Sequence, residues 1–381
     1  MGDFNESVIL DAIRRHGTGL SRVELATATG LSAQTVSNIT RRLLDQGVVR
    51  ESGKQNVGSG KPRTLLEIVP ASRYALGVHL DPALITCVLV DLLGTVLAER
   101  SRATPADGDT DRIAADMAAS VATIVAESGA DRERILGLGI AAPGPIDAAA
   151  GWVIDPPEMQ GWGRYPLRDR LSEATGFPAV LDKDVTAAVV AEHWAGSAGD
   201  SGNLLFFYFG TGSGMGLVVD DTVLRGVSGN AGEVGGLGAG CSTRALVEEA
   251  VALGVLGAEY TVTNPADAQR GLERLAELAE DDAQAGGILE RLAIRIGRGV
   301  CAAATLLDVD TIVFGGPTWH VLAHRLLPVI EPMVASSPFI KAPHPTTVAS
   351  TVLGVNVAAV GAASLVLDSA LSAQPRALLL K

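Results

Sequence analysis

Apolar residues in the first 50 positions recur every three to four residues and are interrupted by short polar breaks. This period predicts three helices that share a buried side. Ser21 and Glu24 have the spacing of a capping box at the start of the second helix, and Gly30 ends it. Ser32 is placed to cap the third helix. The predicted helices span residues 6–16, 22–29 and 33–46. Helix, short helix, turn and longer helix is the order of a helix-turn-helix.

Two short apolar runs follow, at residues 48–50 and 64–69, and predict a β-hairpin with the basic, glycine-rich loop GKQNVGSGKPR. The whole segment, residues 1–70, is therefore interpreted as a winged helix-turn-helix that binds duplex DNA. Gln34 and Asn38 lie four residues apart and can each reach an adenine edge. The candidate DNA-binding residues are Gln34, Thr35, Asn38, Arg41, Arg42, Lys54, Lys61 and Arg63. The alternatives are a structural three-helix module and, for Lys61 and Arg63, a solvated loop.

The charge distribution supports this interpretation. The net charge of the chain is −13, which is unusual for a protein that binds nucleic acid. Residues 1–70, however, carry +2, the other 311 residues carry −15, and residues 33–63 alone carry +4. The basic charge is thus confined to the segment that is predicted to contact DNA.

The remainder of the chain alternates strands and helices. Strands are predicted at residues 74–79, 84–90, 96–100, 204–209, 217–219 and 311–314, and helices at 110–128, 166–175, 184–194 and 283–307. The segments that begin at residues 74 and 204 share one outline, which predicts a duplicated α/β unit with a cleft between two lobes. Residues 346–367 are uncharged and long enough to span a bilayer. Their polar and glycine interruptions favour a buried strand followed by a packed helix.

Two glycine-rich stretches carry the candidate chemistry. Gly210-Thr211-Gly212-Ser213-Gly214-Met215-Gly216 lies between two apolar runs, so it is interpreted as a turn that points N–H groups at an anion or a sugar oxygen. A tight hairpin between core strands is the alternative. Gly229-Asn230-Ala231-Gly232-Glu233-Val234-Gly235-Gly236 follows, and it places the single carboxylate of Glu233 in a flexible loop.

These stretches resemble the sugar-site half of the ROK family, which contains repressors and sugar kinases. Further landmarks occur in the family's order: AAPGPID at 141–147, Gly161-Trp162, TGFP at 175–178, Asp182-Lys183-Asp184 and FGGP at 314–317. The resemblance covers roughly residues 74 to 370. It implies a two-lobed actin-like (sugar kinase-like) α/β domain behind the winged helix-turn-helix. The expected boundaries are 1–70, 71–196 with a C-terminal helix at 357–372, and 197–356.

The first hairpin turn departs from the family's kinases, which hold magnesium and nucleotide phosphates there with an Asp, paired glycines and a Thr. The corresponding residues are His79, Asp81, Pro82 and Ala83. Pro82 has no N–H to donate, and Asp81 repels phosphate. The family's zinc module also lacks its ligands, since Gly236 replaces a His and Cys241 is the one cysteine left in that loop. We therefore expect no ATP-driven chemistry, no metal and no cofactor.

The effector site is assigned mainly by the resemblance. Asp184 matches the residue that binds a sugar hydroxyl and accepts its proton in family kinases, and Glu248 matches a sugar-contacting Glu. Lys183 stands where an Asn usually binds sugar. The candidate effector-binding residues are Asp184, Glu233, Glu248, Lys183, Gly144 and Gly212. A helix cap is the alternative for Asp184, and a surface Glu is the alternative for Glu248.

Carboxylates suit a neutral polyol, and they do not suit an anion unless Lys183 turns inward. The three cysteines are widely spaced and no leader-like segment opens the chain, so a reduced, cytoplasmic protein without a membrane partner is expected. The predicted function is a sugar-responsive transcriptional regulator, a repressor, that binds an inverted repeat as a homo-dimer or higher oligomer. The alternatives are a sugar kinase with a DNA-binding extension and a regulator controlled by a protein partner.

Overall fold

The computed structural model describes residues 2–55, 62–105, 107–159, 161–198, 201–235, 241–341 and 344–371. The chain begins with an N-terminal module of three helices and three strands. Its elements are α1 (Gly2–His16), β1 (Leu20–Ser21), α2 (Arg22–Thr29), α3 (Ala33–Asp45), β2 (Val49–Gln55) and β3 (Arg63–Ile68). The strands form a sheet in the order β1-β3-β2.

Local chemistry fixes the ends of these helices as predicted. The Ser21 side chain accepts the N–H of Glu24, and the Glu24 carboxylate accepts the N–H of Ser21, which completes the capping box. Gly30 ends α2 in the left-handed conformation, at a φ of 69°. The Ser32 hydroxyl accepts the N–H of Thr35 at 3.1 Å and begins α3. A fully buried apolar cluster that includes Ile9, Leu25, Val36 and Leu43 then holds the helices together.

Two five-stranded sheets follow, and they share one topology. The first has the order β11-β7-β4-β5-β6, and the second has the order β14-β13-β12-β15-β16. Each starts as an antiparallel three-stranded meander and then adds two parallel strands. Their bounds are β4 (Tyr74–Leu80), β5 (Leu84–Asp91), β6 (Val96–Ala103), β7 (Ile135–Ala142), β11 (Ala179–Lys183), β12 (Leu204–Phe209), β13 (Ser213–Val219), β14 (Thr222–Val223), β15 (Thr311–Gly315) and β16 (Thr347–Ser350). The expected duplicated α/β unit is confirmed.

Helices cover these sheets. They are α4 (Thr110–Ser128), α5 (Leu167–Thr175), α6 (Asp184–Ala195), α7 (Thr243–Ala252), α8 (Pro265–Leu278), α9 (Ala283–Leu307), α10 (Pro317–Ser336), α11 (Pro338–Lys341) and α12 (Val357–Leu371). A small sheet, β10-β9-β8, joins β8 (Ile146–Asp147), β9 (Trp152–Ile154) and β10 (Arg164–Tyr165). We call β4–β11 with α4–α6 and α12 the first lobe. The second lobe comprises β12–β16 with α7–α11.

The C-terminal segment returns to the first lobe. α12 packs so closely on α6 that a Cβ on Gly361 would lie 1.9 Å from the carbonyl oxygen of Ala187, and the contact therefore requires glycine at this position. The residues of α12 from Val357 to Leu367 are buried. The prediction of a strand followed by a packed helix over residues 346–367 is therefore confirmed, but the strand, β16, is partly exposed and not buried, because it lies at the edge of its sheet. Among the described residues, no helix is both long and apolar enough to cross a membrane.

Most strand predictions were too short, and those in the wing and in the second meander differ most from the structure. The wing strand β2 continues to Gln55, because its residues pair with β3 beyond a bulge at Glu51 and Gly53. The turn of the second meander is also tighter than predicted. Ser213 already pairs with Phe209, so the turn comprises residues 210–212 and the rest of the glycine-rich run is strand.

Candidate functional site

The start of α6 lies at the carboxyl end of the first sheet, where ligands of α/β folds commonly bind. β11 runs parallel to β7 and ends at Lys183, so Asp184 opens the helix there. One Asp184 oxygen accepts the N–H of Val185 at 2.7 Å, while Lys183 occupies the cap position without a side-chain cap bond. The capping role of Asp184 is thus restricted to one bond to its direct neighbour.

Lys183 turns into the cleft. Its side chain is 3% exposed, and its Nζ lies 2.5 Å from an Oε1 of Glu233 and 3.3 Å from the carbonyl oxygen of Ala231. The lysine therefore connects the first lobe to the Glu233 loop of the second. The inward position, considered from sequence only as a condition for binding an anion, is the one that the structure has.

Glycine at position 232 fixes this loop. Gly232 has a φ of 93°, and a Cβ there would lie 1.8 Å from the carbonyl oxygen of Met215. The Gly232 carbonyl in turn accepts the N–H of Met215 at 2.9 Å. Only glycine combines the positive φ with this close approach to Met215. The loop is therefore held against β13 and presents Glu233 to Lys183.

The electrostatics of the cluster centre on Asp184. Burial raises the pKa of Asp184 to about 7, with the positive charge of Lys183 opposing the shift and the charges of Asp81 and Glu233 adding to it. Near neutral pH this carboxyl group is therefore divided between its two forms. It can accept a hydrogen bond from a hydroxyl when ionised and donate one when protonated.

The two meander turns are connected across the cleft. The Thr211 hydroxyl donates to Oδ1 of Asp81 at 2.7 Å, and the same oxygen accepts the N–H of Ala83 at 2.8 Å. His79 is buried, and burial lowers its pKa although Asp81 opposes the shift. The ring of Tyr208 stands at right angles to that of His79, with the centroids 6.2 Å apart. Where kinases of the family hold phosphates, this chain places a carboxylate that is already hydrogen-bonded to both turns.

Asn230 forms a second connection between the lobes. Its Oδ1 accepts the N–H of Ile146 at 2.8 Å, and its Nδ2 donates to the Ile146 carbonyl oxygen at 2.7 Å. Gly144 lies beside this connection, since a Cβ there would meet Lys183 Cδ at 3.1 Å. Gly212 instead faces open space, because nothing lies within 4 Å of its Cβ position. The predicted Gly144 therefore belongs to the Lys183 cluster, and Gly212 lies at the neighbouring turn.

Glu248 lies apart from these contacts. On α7 it pairs with Arg244 at 3.7 Å, and Arg244 also pairs with Glu158 of the first lobe at 3.4 Å. A cavity of about 190 Å³ opens between the lobes at this point, with Arg244, Glu158 and Pro82 in its wall. Glu248 is more than half exposed. Its position favours a rim residue that acts through Arg244 over a direct member of the Lys183 cluster.

The buried Glu192 was not predicted as functional. It is completely buried on α6 and accepts hydrogen bonds from the N–H and hydroxyl of Ser197 and from the hydroxyl of Thr351. Ser197 lies where the chain leaves the first lobe, and Thr351 lies where it returns. Glu192 therefore braces both connections between the lobes. An acid directly after the largely apolar run 185–191 was the available signal, and Asn230 and Thr211 were equally visible as polar residues in glycine loops.

The candidate DNA contacts divide into two groups. Gln34 and Asn38 are exposed on α3 and hydrogen-bonded to each other at 3.1 Å, while the exposed Arg41 forms no ion pair within the described ranges. Arg42 instead pairs with Glu6 of α1, and the Thr35 hydroxyl contacts Ser32 Oγ at 2.9 Å. Three predicted contacts belong to the wing: Lys54 is exposed on β2, Arg63 is partly buried on β3, and Lys61 lies outside the described residues.

The segment in which the family's zinc ligands are missing is described only in part by the structure. Gly236 and residues 237–240, which precede Cys241, lie outside the described residues. Among the rest, no group of three or more His, Cys, Asp or Glu is placed to hold a metal ion. Burial raises the pKa of the Cys241 thiol to about 11, with Ser213 and Arg295 opposing the shift, so this thiol is protonated at neutral pH.

Comparison with known proteins identifies the family. A model described as the ROK family matches residues 75–369, more than half of the chain. The chain belongs to the ROK family. A MarR family model matches residues 3–55, so this ROK chain carries an N-terminal winged helix of the MarR type. Both matches agree with the architecture seen in the structure.

Individual relatives of this ROK chain are transcriptional regulators by name. The xylose repressor of Caldicellulosiruptor bescii is 28% identical over 216 residues, which cover 57% of this chain and 54% of the relative. The match therefore spans about half the length of that relative. The regulator NagC of Escherichia coli, described as a DNA-binding transcriptional dual regulator, is 25% identical over 349 residues, covering 86% of this chain and 84% of NagC.

A solved ROK structure shows the same fold over almost the whole chain. It is described as a ROK family transcriptional regulator and a homologue of the MLC protein of E. coli. The TM-score is 0.75 at 20% identity, with 98% of this chain and 97% of that chain covered. The predicted fold class, a winged helix-turn-helix followed by a two-lobed sugar kinase-like domain, is confirmed.

Proposed function

We propose that this ROK protein is a sugar-responsive transcriptional regulator, a repressor, that binds duplex DNA through its N-terminal module. The observation that carries the proposal is the cluster of Lys183, Asp184 and Glu233 between the lobes of a chain that also presents an exposed recognition helix. The protein acts on an inverted-repeat operator as a homo-dimer or higher homo-oligomer in the cytoplasm. We place the limits of its three parts near residues 70, 196 and 356.

The effector is an unphosphorylated sugar. Asp81, Asp184 and Glu233 carry more negative charge than Lys183 offsets, so a phosphate group would be repelled. Carboxylates accept strong hydrogen bonds from sugar hydroxyls, and the Lys183 ammonium donates to hydroxyl oxygens. Glu248 and the backbone at Gly212 border the site and contribute less than the central cluster.

The protein does not transfer phosphate. Asp81 and Pro82 oppose a nucleotide at the first turn, and the hydrogen bond of Thr211 to Asp81 spans the space between the turns. Magnesium-dependent ATP consumption that is stimulated by a sugar, and lost in an Asp184→Asn variant, would contradict this statement. Purified protein should therefore consume no ATP in response to a sugar.

A sugar screen tests the proposal. Thermal shift and calorimetry with D-xylose, D-glucose, N-acetyl-D-glucosamine and their phosphates should identify at least one neutral sugar that binds. Glu233→Ala should weaken its binding by roughly 10- to 150-fold, which corresponds to the loss of about 1.5–3 kcal/mol for a charge-assisted hydrogen bond. Glu277→Ala, which removes an exposed α8 carboxylate paired with Arg274 at 2.8 Å, is the matched control and should bind as the wild type does. Absence of binding by every sugar would favour a regulator controlled by a protein partner.

A further inference from the structure

The N-terminal module is fastened to the end of α6 by Arg14. Its side chain is 7% exposed, its guanidinium donates to the carbonyl oxygen of Trp194, and it stacks 4.1 Å from the centroid of the Trp194 ring. Cations are favoured at the last carbonyls of a helix, and stacking on an indole adds to the attraction. α1 therefore moves with α6, that is, with the first lobe.

The next residue reaches the other lobe. Arg15 lies 3.2 Å from Oδ1 of Asp221 and 3.2 Å from Nε2 of His193, and His193 and Asp221 are also 3.2 Å apart. His193 belongs to α6 of the first lobe, whereas Asp221 lies in the turn between β13 and β14 of the second. These three side chains, Arg15, His193 and Asp221, form what we call the junction triad. They connect α1, the first lobe and the second lobe at one point.

The backbone fixes Asp221 within the second lobe. Asp220 and Asp221 form the two-residue turn of the β13–β14 hairpin, with φ angles of 48° and 56°. The N–H of Asp221 donates to the carbonyl oxygen of Gly202 at 2.9 Å, and the N–H of Asp220 donates to Oδ1 of Asn203 at 3.1 Å. Asp221 therefore moves with the second lobe, and a rotation of the lobes about an axis that lies away from this turn changes its distance to His193 and Arg15.

Two elements lead from the effector site to this triad. α6 starts with Asp184 and reaches His193 nine residues later, about 14 Å along the helix axis. β13 starts with Ser213, beside the Thr211 turn, and leads over about 20 Å to the turn that carries Asp221. Both elements are rigid and hydrogen-bonded, so displacement at the cleft is carried to the triad without an additional moving part.

We propose that the Arg15–Asp221 contact couples the arrangement of the two lobes to the position of the DNA-binding module. The contact exists in the arrangement that the structure shows, and relative rotation of the lobes breaks it while Arg14 keeps α1 on the first lobe. A contact made in only one of two states is what allows a ligand at one site to change affinity at another. This inference rests on the proposed function, because it assumes that sugar and DNA both bind.

The matched pair Asp221→Asn and Asp220→Asn tests the coupling. Both substitutions remove one charge from the same turn, and asparagine accepts positive φ, so neither should disturb the fold. The Asp220 side chain is not part of the junction triad. Since 60% of the Asp221 side chain is exposed, the loss of its ion pair should change the coupling by about 1.5- to 5-fold.

The full-length protein is used for two measurements. The first is the Kd for a duplex selected by the wild type from a random library, with and without saturating D-xylose, D-glucose or N-acetyl-D-glucosamine. Asp221→Asn should reduce the ratio of the two Kd values by the stated factor, and Asp220→Asn should keep the wild-type ratio. The second is amide hydrogen exchange of residues 2–16 without sugar or DNA, which should be faster in Asp221→Asn alone.

The outcomes separate the two proposals. Wild-type protein that binds none of the sugars, or no duplex, refutes the proposed function, and the exchange measurement then decides the structural part of the inference, that Asp221 holds α1 against the second lobe. Equal exchange in the two variants overturns the inference in that case. If sugar and duplex do bind and are coupled, an Asp221→Asn ratio equal to that of Asp220→Asn overturns the inference and leaves the proposed function intact.

Discussion

Replacing Asp184 by Asn should stabilise the protein while removing an essential contact of the effector site. Burial raises the pKa of Asp184, so its charged form is unfavourable in the folded state. Asn keeps the carbonyl oxygen that accepts the N–H of Val185 and removes the charge. A residue retained for a ligand and not for stability is expected to behave in this way.

The magnitude follows from the pKa. It lies at about 7 against 3.8 for an exposed aspartate, roughly three pKa units at about 1.4 kcal/mol each, which sets an upper limit of about 4 kcal/mol. Because the side chain is partly exposed, solvent screening reduces the expected gain to about 1–3 kcal/mol at pH 8. The protonated carboxyl of the wild type contributes stability that is complete below about pH 4 and is lost as the pH rises to 7.

Urea unfolding of the wild type and Asp184→Asn at pH 5.5 and pH 8 measures this difference. The free energy of unfolding should be higher for Asp184→Asn at both values, and its advantage should roughly double from the lower to the higher pH. Calorimetry with the sugar found in the screen should show binding to the wild type only. A variant with the same stability as the wild type at both pH values would show that the buried charge of Asp184 carries no cost in the folded state, and would refute this prediction.

Three further predictions concern the effector site, the connections between the lobes and the DNA contacts. The Kd for the sugar should rise about tenfold in the wild type between pH 8 and pH 6, because Asp184 is protonated below pH 7, and calorimetry that finds the Kd unchanged within twofold would contradict this. Glu192→Ala leaves three hydrogen-bond donors of Ser197 and Thr351 unpaired and should lower the free energy of unfolding by about 2–4 kcal/mol. Glu192→Gln should cost less, and equal losses for the two variants in urea unfolding would exclude these hydrogen bonds as the cause. Arg41→Ala should weaken DNA binding to all sequences and lower the salt slope by about 1, while Asn38→Ala should change base preference at one position; fluorescence anisotropy at several salt concentrations separates the two effects.

Local signals in the sequence predicted the helices well. The capping box of Ser21 and Glu24 and the period of residues 283–307 each depend on neighbours within a few positions, and the structure reproduces both. α10 shows where local signals end, because it continues through Pro328 and Pro332, which by local rules stop a helix. The packing of its buried face on the second lobe outweighs the two lost backbone hydrogen bonds.

The arrangement of the cleft depends on contacts between distant positions, which local patterns do not encode. Thr211 and Asp81 are 130 residues apart, and Lys183 and Glu233 are 50 residues apart, yet each pair is in hydrogen-bond contact. The resemblance to a family indicated which residues belong to the site. The resemblance did not indicate that Lys183 is buried against Glu233. Family members have an Asn at that position, and an uncharged Asn cannot form an ion pair with a Glu.

The central claim is that a sugar bound between the lobes controls DNA binding. The most direct test is the Kd of the full-length protein for its selected duplex, measured by fluorescence anisotropy with and without a saturating concentration of the sugar found in the screen. For a repressor that is released by its effector, the sugar should raise this Kd by at least about fivefold, within the usual range of allosteric coupling, and Glu233→Ala should require a correspondingly higher sugar concentration. A duplex Kd that stays the same within twofold, at sugar concentrations that calorimetry shows to saturate the cleft, would contradict the account.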